Sequence, residues 1–325
     1  MIVVQAPLRV SFFGGGTDLP GFYTRETGCV LSSAIDKRVY VIVKERFDDL
    51  IYVNYSRKEI VSSVDHIEHG LVREAMRATG VTSGVEITTL ADVPSEGSGL
   101  GSSSSITVAL LLGFSAYRFD VMSAARLAEE ACRIEIQRLG RPIGKQDQYI
   151  SAFGGIRQIE FHPDERVTIE RVELSESVRA KLSQRLTLFY TGRTRSADPI
   201  LQEQSQRVDG SLDVLREMRA QAIRGRDALQ AGDLDGFGAL LHEAWVLKRE
   251  LGNSITDPGI DAMYEAARTA GALGGKITGA GGGGFLLLCV PPASQDAVRA
   301  ALHGYREVPI GLERDGAKVM LNVHR

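Results

Sequence analysis

The distribution of apolar residues changes character about halfway along the chain. Up to about residue 186, β-branched and aromatic residues gather in short runs that are typical of strands, separated by helix-compatible stretches. Beyond a strand-like run at 186–190, a largely helical stretch extends to Leu251, and its apolar residues recur at helical spacing. Strands and helices do not alternate regularly, so the order predicts an α+β fold. We expect a boundary between 170 and 190, and place two domains at residues 1–185 and 186–325.

The same pattern predicts the individual elements. Strands are expected at 1–13, 29–47, 50–54, 85–90, 153–172, 186–190, 284–290, 306–313 and 317–323. Helices are expected at 66–79, 104–117, 121–138, 233–251, 258–270 and 294–302, with further helix between 201 and 222. The runs at 29–47 and 50–54 follow each other closely, which predicts a hairpin.

Two glycine-rich segments, at 94–105 and 276–284, stand out from this pattern. The first runs directly into an apolar, helix-compatible stretch at 106–114. Glycines leave backbone N–H groups open to close approach, and a helix N-terminus adds partial positive charge, so the segment suits a nucleotide phosphate. Its serine hydroxyls suit phosphate oxygens or a metal ion. A flexible loop is the alternative for one glycine run, but the helix start and the second run favour the phosphate site.

Two common nucleotide-binding motifs are excluded. No Gly-x-x-x-x-Gly-Lys-Ser/Thr sequence occurs, so the first segment is not a Walker A loop. Residues 279–284 satisfy Gly-x-Gly-x-x-Gly, but a strand-like run follows them at 285–290. The dinucleotide fingerprint requires a helix at that place, so we reject it.

Composition excludes several function classes. The net charge of −3 implies no general attraction to nucleic acid or to an anionic membrane. No apolar run approaches the roughly 20 residues that span a bilayer, and the N-terminus has no signal-peptide pattern. Three widely spaced cysteines, Cys29, Cys132 and Cys289, predict buried thiols in a reducing cytoplasm. The six histidines show no metal-binding spacing.

Three segments, at 6–18, 94–104 and 276–284, resemble the three motifs of the GHMP small-molecule kinases, in the same order and across nearly the whole chain. The resemblance implies an α+β kinase with an N-terminal S5-like domain and a C-terminal ferredoxin-like domain. It also implies that ATP binds between the domains, and it is compatible with a homodimer.

The resemblance assigns the nucleotide and magnesium sites. Glu135 lies twelve residues before Asp147, which matches the family spacing between a magnesium ligand and a catalytic aspartate, and Ser103 matches the second magnesium ligand. Without the resemblance, Glu135 would be taken for a solvated residue on a helix. The residues expected to bind the phosphates of ATP are Gly97, Ser98, Gly99, Leu100, Gly101, Ser102, Ser103, Ser104, Gly281 and Gly282.

The resemblance also assigns the catalytic pair. The segment at 144–148 is similar to the family segment that carries the candidate base, which makes Asp147 the group facing the acceptor hydroxyl. Arg9 matches the family's basic partner, and a cation beside Asp147 favours the ionised carboxylate. Whether this carboxylate abstracts the proton or mainly stabilises charge is left open by the sequence.

The acceptor is implied by local similarity. Galactokinase-like members have Glu-His before the Thr-Asp of the first motif, whereas this chain has Gly15 and Gly16, which argues against plain galactose. Segments at 12–18, 144–148, 191–197, 242–248 and 273–276 are similar to members that phosphorylate a heptose 7-phosphate. The resemblance thus implies ATP-dependent phosphorylation of the anomeric hydroxyl of D-glycero-D-manno-heptose 7-phosphate, on a route to surface polysaccharide. Another sugar 1-kinase (for fucose, galactose or arabinose) and a non-catalytic sugar sensor are the alternatives.

Substrate-binding residues follow from this assignment. The sugar is expected at Gly15, Gly16, Thr17 and Asp18. Its phosphate needs cations, because ammonium and guanidinium groups make charge-assisted hydrogen bonds to phosphate. The cations considered for it are Lys145, Arg193, Arg195 and Lys248, with a plain surface charge as the alternative for each.

Overall fold

The computed structural model describes residues 1–94 and 97–323, so Ser95 and Glu96 of the first glycine segment lie outside the described residues. Within these ranges no helix is both long and apolar enough to cross a membrane. The thiols of Cys29, Cys132 and Cys289 are buried and unpaired, as predicted.

Strands of the first half of the chain, together with the last strand, form one large, mostly antiparallel sheet. The strands are β1 (Ile2–Phe13), β2 (Gly28–Glu45), β3 (Ile51–Asn54), β4 (Lys58–Val61), β5 (Val85–Ala91), β6 (Ile156–Phe161), β7 (Val167–Arg171) and β12 (Lys318–Asn322). The order β12-β1-β2-β5-β3-β4 runs along the sheet, and β6 and β7 extend it from another part of β2.

The predicted hairpin between 29–47 and 50–54 is wrong. Strand β5 lies between β2 and β3, antiparallel to β2 and parallel to β3. A parallel pair needs a crossover, which here consists of β4 and helix α2 (Gly70–Thr79). The hairpin in this region joins β3 to β4 instead, with Ile51 opposite Val61.

Two helices bury β1. Helix α3 (Ser102–Tyr117) contacts it near Val4, and α8 (Leu212–Ala231) contacts it at Phe13. Because α3 is apolar on nearly all sides, it is buried along most of its length, as a central core helix must be. Its first turn, which carries the serine run, is therefore held at a fixed place in the fold.

Most of the remaining helices follow the predicted pattern with shifted ends, but the helices at Pro20–Tyr23, Gln146–Phe153 and Glu176–Arg185 have no predicted counterpart. Helix α2 begins at Gly70 rather than at 66, because the His69 side chain accepts a hydrogen bond from the Val72 N–H and so caps it. A π-helical turn at 133–138 continues α4. The other helices are α1 (Pro20–Tyr23), α4 (Ala124–Cys132), α5 (Gln146–Phe153), α6 (Glu176–Arg185), α7 (Asp198–Gln206), α9 (Leu234–Glu250), α10 (Pro258–Thr269) and α11 (Gln295–Ala301).

The second sheet is antiparallel, in the order β11-β8-β10-β9. Its strands are β8 (Leu186–Tyr190), β9 (Gly274–Ile277), β10 (Phe285–Cys289) and β11 (Arg306–Pro309). Helices α7–α10 connect β8 to β9, and α11 connects β10 to β11, which is a ferredoxin-like β-α-β-β-α-β arrangement. The predicted ferredoxin-like C-terminal domain is thereby confirmed.

The last strand returns to the first sheet. Strand β12 pairs with β1, with Asn322 opposite Ile2. The division at residue 186 stays a prediction, and residues 318–322 do not follow it, because their backbone hydrogen bonds are made in the first sheet.

Packing of α8 on β1 supplies a stability prediction. A Cβ added at Gly225 of α8 would lie 2.5 Å from Cδ2 of Phe13, whose ring is fully buried. We expect Gly225→Ala to lower the free energy of unfolding by about 1–2 kcal/mol, because overpacking outweighs the gain in helix propensity.

The matched control is Gly210→Ala, since no atom lies within 4 Å of a Cβ at Gly210. Urea unfolding of both variants checks the prediction, and equal stabilities would contradict it.

Candidate active site

The two glycine segments lie against each other. A Cβ at Gly99 would come 2.5 Å from the Thr278 carbonyl oxygen, and one at Gly279 would come 2.6 Å from the Gly99 Cα. Both glycines have a positive φ, which other residues rarely adopt. The Thr278 hydroxyl donates to the Ser98 carbonyl across the junction, at 3.1 Å. The segments thus form one continuous backbone surface that side chains would disrupt.

Helix α3 starts at this surface. Its N-cap is Gly101, with φ 78°, which has no side chain to cap the first-turn N–H groups. Ser102, Ser103 and Ser104 of that turn line a cavity. Uncapped N–H groups at a helix N-terminus attract anions, so this end of the cavity suits a phosphate chain.

The cavity has a volume of about 620 Å³, and residues from both halves of the chain line it. Most of the predicted site residues meet there. Those in its wall are Arg9, Gly15, Gly16, Asp18, Gly97, Ser98, Gly99, Gly101, Ser102, Ser103, Ser104, Asp147, Arg195, Lys248 and Gly281.

Three predicted residues of the first motif and the glycine segments lie behind the wall, and the fully buried Glu135 is not part of the wall either. The Leu100 carbonyl accepts a 3.0 Å hydrogen bond from the Arg9 N–H, and the Thr17 hydroxyl donates to the Gly14 carbonyl at 2.7 Å. Both side chains are fully buried. Gly282, the third, packs against Ile200 and Arg195. These three residues shape the loops rather than face a ligand.

Two predicted cations lie outside the wall, each with a carboxylate partner. Lys145 pairs with Glu165 and lies 4.4 Å from the centre of the Tyr23 ring. Arg193 pairs with Asp257 at 2.8 Å. Both partners are distant in sequence, so neither pairing could be predicted from the residues around the cations.

Arg9 holds Asp147 in the cavity. Its Nε and Nη2 donate to the two carboxylate oxygens of Asp147 at 2.7 and 2.6 Å, in a bidentate pair. Its Nη1 donates to the Gly99 carbonyl at 2.5 Å. Asp147 belongs to the first turn of α5 and is 22% exposed, whereas Arg9 is almost completely buried. The carboxylate is therefore fixed in place and open to the cavity on one side.

Asp18 is a second buried carboxylate in the wall. It accepts hydrogen bonds from the N–H of Gly16 at 3.0 Å, and from the N–H and side-chain amide of Gln146 at 3.2 and 3.1 Å. Burial and the nearby Asp147 raise the pKa of Asp18, while these hydrogen bonds act against them. A Cβ at Gly144 would overlap an Asp18 oxygen, which explains the glycine there.

Glu135 is fully buried in the π-helical turn, a feature that is frequent at functional sites. Gln148 donates a hydrogen bond to its Oε2 at 2.7 Å. Its Oε1 accepts no hydrogen bond from the described residues and lies 3.5 Å from the Arg141 guanidinium. Burial raises the pKa of Glu135, while hydrogen bonds from the Ser104 and Ser103 hydroxyls act in the opposite direction.

A carboxylate oxygen without a hydrogen bond, close to serine hydroxyls, fits the oxygen ligands that magnesium prefers. No cluster of three or more acidic, cysteine or histidine residues suited to a metal occurs in the described part of the chain. Magnesium bound here would therefore take its remaining ligands from phosphates and water.

Sequence reasoning missed part of the wall. Lys276 lines the cavity and is only 3% exposed. It begins the third motif, so its place in the sequence could have marked it as a site residue. Arg141 and Gln146 also line it, beside segments already singled out. Four apolar or aromatic residues also line the cavity: Tyr55, Leu71, Leu90 and Ile106. No motif marks Tyr55 or Leu90.

Known proteins resemble this chain over its whole length. A D-glycero-alpha-D-manno-heptose 7-phosphate kinase from Campylobacter jejuni is 29% identical over 308 residues, which are 90% of this chain and 91% of that protein. A galactokinase from Roseiflexus is 28% identical over 92% of this chain and 85% of its own length. A solved structure of a D-glycero-D-manno-heptose 1-phosphate kinase from Bacteroides thetaiotaomicron superposes with a TM-score of 0.84 at 25% identity, over 100% of both chains.

Two family models match the chain itself. The GHMP kinases N terminal domain covers residues 54–155, which include the first glycine segment, Glu135 and Asp147. The GHMP kinases C terminal domain covers residues 226–306, which include the second glycine segment. With both domains matched in order and joined around one cavity, the chain belongs to the GHMP kinase family.

Proposed function

We propose that this protein transfers the γ-phosphoryl group of ATP to the anomeric hydroxyl of D-glycero-D-manno-heptose 7-phosphate, giving the 1,7-bisphosphate. The observation that carries the proposal is the Arg9–Asp147 pair, which shares one cavity with the open N-terminus of α3. The relatives support the sugar: a heptose 7-phosphate kinase and a heptose 1-phosphate kinase are both similar along nearly the full chain.

ATP would lie along the first glycine segment. The N–H groups of the first turn of α3 and the hydroxyls of Ser102–Ser104 would surround its phosphates, as phosphoryl transfer mainly requires positioning and charge neutralisation. The apolar lining residues Tyr55, Leu71, Leu90 and Ile106 offer a surface for the adenine. Magnesium, when bound by Ser103 and Glu135, would neutralise charge on the phosphates.

The sugar would lie at the other end. Asp18 is held by Gly16 and Gln146 and can accept hydrogen bonds from sugar hydroxyls. Asp147 would face the anomeric hydroxyl and accept its proton, or stabilise the charge that develops as the new bond forms. Arg9 holds that carboxylate in place through two hydrogen bonds.

The test of the proposal is an ADP-release assay with a panel of sugars. The panel contains heptose 7-phosphate, the unphosphorylated heptose, fucose, galactose and arabinose. We expect the highest catalytic efficiency with heptose 7-phosphate, and phosphate at C1 of the product by NMR. Preference for an unphosphorylated sugar would favour another sugar 1-kinase, and absence of turnover with every sugar would favour a sensor.

Asp147→Asn tests the catalytic role. The amide keeps the size of the side chain and one acceptor for Arg9, but it cannot take a proton. We expect kcat to fall by about two orders of magnitude or more, with the Kd of ATP nearly unchanged.

The control is Asp164→Asn, which changes an acid with 66% of its side chain exposed. Wild-type turnover in the Asp147 variant would remove this residue from the mechanism.

Ser103→Ala and Glu135→Gln test the metal site. Each removes a proposed oxygen ligand, so we expect the magnesium concentration for half-maximal rate to rise by about an order of magnitude. Calorimetric binding of ADP with and without magnesium gives a readout that is independent of turnover.

Ser105→Ala is the matched control, since the Ser105 hydroxyl donates to the Pro7 carbonyl at 2.8 Å and lies outside the cavity wall. An unaltered magnesium dependence in both test variants would place the metal elsewhere.

A further inference from the structure

Two lysines from the second half of the chain reach the cavity. Lys248 lies near the C-terminal end of α9, and Lys276 lies in β9. Both line the cavity, yet their side chains are only 5% and 3% exposed. Lysine is rarely buried to this degree unless its charge is paired.

Within the described part of the chain, their hydrogen-bond partners are all backbone carbonyls. Lys276 Nζ donates to the Phe12 carbonyl at 3.2 Å. Lys248 Nζ donates to the carbonyl of Ile277 at 3.3 Å and to that of Gly279. An ammonium group has three donors, so Lys248 keeps one for a ligand and Lys276 keeps two.

Charge around the two lysines is not balanced. The charged groups that face Lys276 are Arg9, Asp18 and Lys248, and Arg9 is already paired with Asp147. Among the residues that the structure describes, no carboxylate lies within 4.0 Å of either lysine. Burial, with Arg9, lowers the pKa of Lys276 to about 8; burial, with Lys276 and Arg9, lowers that of Lys248 well below its usual value. Such a pair is stabilised by an anion in the cavity.

We propose that Lys248 and Lys276 form the subsite for the phosphate group that the sugar already carries. This inference rests on the proposed function and names two residues for that substrate's phosphate. A phosphate monoester is a dianion above its second pKa of about 6, and ammonium groups make short, charge-assisted hydrogen bonds to it.

The position of the lysines favours the sugar's phosphate over those of ATP. The charge of Asp18, at the end of the cavity proposed for the sugar, acts on Lys276, and Lys276 Nζ donates to the carbonyl of Phe12 in the first motif. Leu251, three residues after Lys248, packs beside Gly16 of the same motif. Lys248 Nζ also reaches the carbonyl of Gly279 in the second glycine segment, so Lys276 is the lysine that distinguishes the sugar's phosphate from those of ATP.

The experiment compares heptose 7-phosphate with the unphosphorylated heptose in Lys248→Met and Lys276→Met. Methionine keeps the length of the buried chain and removes the charge. We expect KM for heptose 7-phosphate to rise about 10- to 100-fold, with the efficiency on unphosphorylated heptose and the KM for ATP within about threefold of wild type. Lys181→Met, on the exposed surface of α6, is the matched control.

A pH profile separates phosphate binding from a purely structural role. Below about pH 8, Lys276 is already protonated before the sugar binds, so the protonation of this lysine does not change KM with pH. Above about pH 8 the unliganded protein loses that proton, and binding the phosphate requires its uptake. KM for heptose 7-phosphate should therefore rise with pH above about 8 in the wild type, and that rise should be absent in Lys276→Met. This arm holds even if Lys248→Met fails to fold.

The outcomes distinguish this subsite from the proposed function. A wild type that prefers heptose 7-phosphate, with the same preference in both variants, overturns the subsite alone. If the wild type acts on a different sugar phosphate and both variants lose that preference, the subsite stands and the proposed sugar is wrong. A wild type that uses only unphosphorylated sugars overturns both.

Discussion

Arg9 connects the phosphate loop with the candidate base, Asp147. Its backbone N–H donates to the carbonyl of Leu100, and its guanidinium donates to the carbonyl of Gly99 and to both oxygens of Asp147. One residue of β1 thus ties the phosphate loop to the first turn of α5. Breaking a buried pair of this kind costs about 3–5 kcal/mol, toward the lower end here since Asp147 is partly exposed. The distance between the nucleotide cradle and the candidate base is therefore set by the sheet.

Glycine makes that arrangement possible. The backbone of Gly99 is close enough to Thr278 and Gly279 that no side chain fits at either glycine. The N–H groups of the first turn of α3 stay uncapped because Gly101 has no side chain to cap them. The first-turn N–H groups have no partner within the helix, so they remain available to the cavity, where an anion can accept their hydrogen bonds.

Local features of the fold were predictable from the sequence, and non-local ones were not. Strand β1, helix α3 and the glycine segments carry their signal in consecutive residues, and the structure has each of them. The pairing of β5 between β2 and β3, and of β12 with β1, depends on contacts between residues far apart in the chain. A hairpin was the simplest assignment for 29–47 and 50–54, but the β-propensity of each strand says nothing about its neighbour.

The candidate site also separates features that are local in the sequence from contacts between distant segments. Motif residues such as Arg9, Asp18 and Asp147 meet in one cavity, because the motifs mark positions where backbone geometry and chemistry are both constrained. Lys145 and Arg193 carry positive charge close to a motif, which is the basis of their predicted role. Their partners, Glu165 and Asp257, belong to other segments, and each ion pair keeps its cation outside the cavity wall.

The first motif explains how this cavity can accept a longer sugar. Galactokinase-like members have Glu-His where this chain has Gly15 and Gly16. The space a side chain at Gly16 would fill is bounded by Leu215 and Leu251, and that at Gly15 by Ser11 and Gln146. With glycine at both positions no side chain occupies this space beside Asp18, and the buried cations Arg9, Lys248 and Lys276 line the same cavity. Room and positive charge on the sugar side of one cavity are what a phosphorylated seven-carbon acceptor requires, since its anomeric hydroxyl must reach Asp147 while its phosphate is held at the opposite end of the molecule.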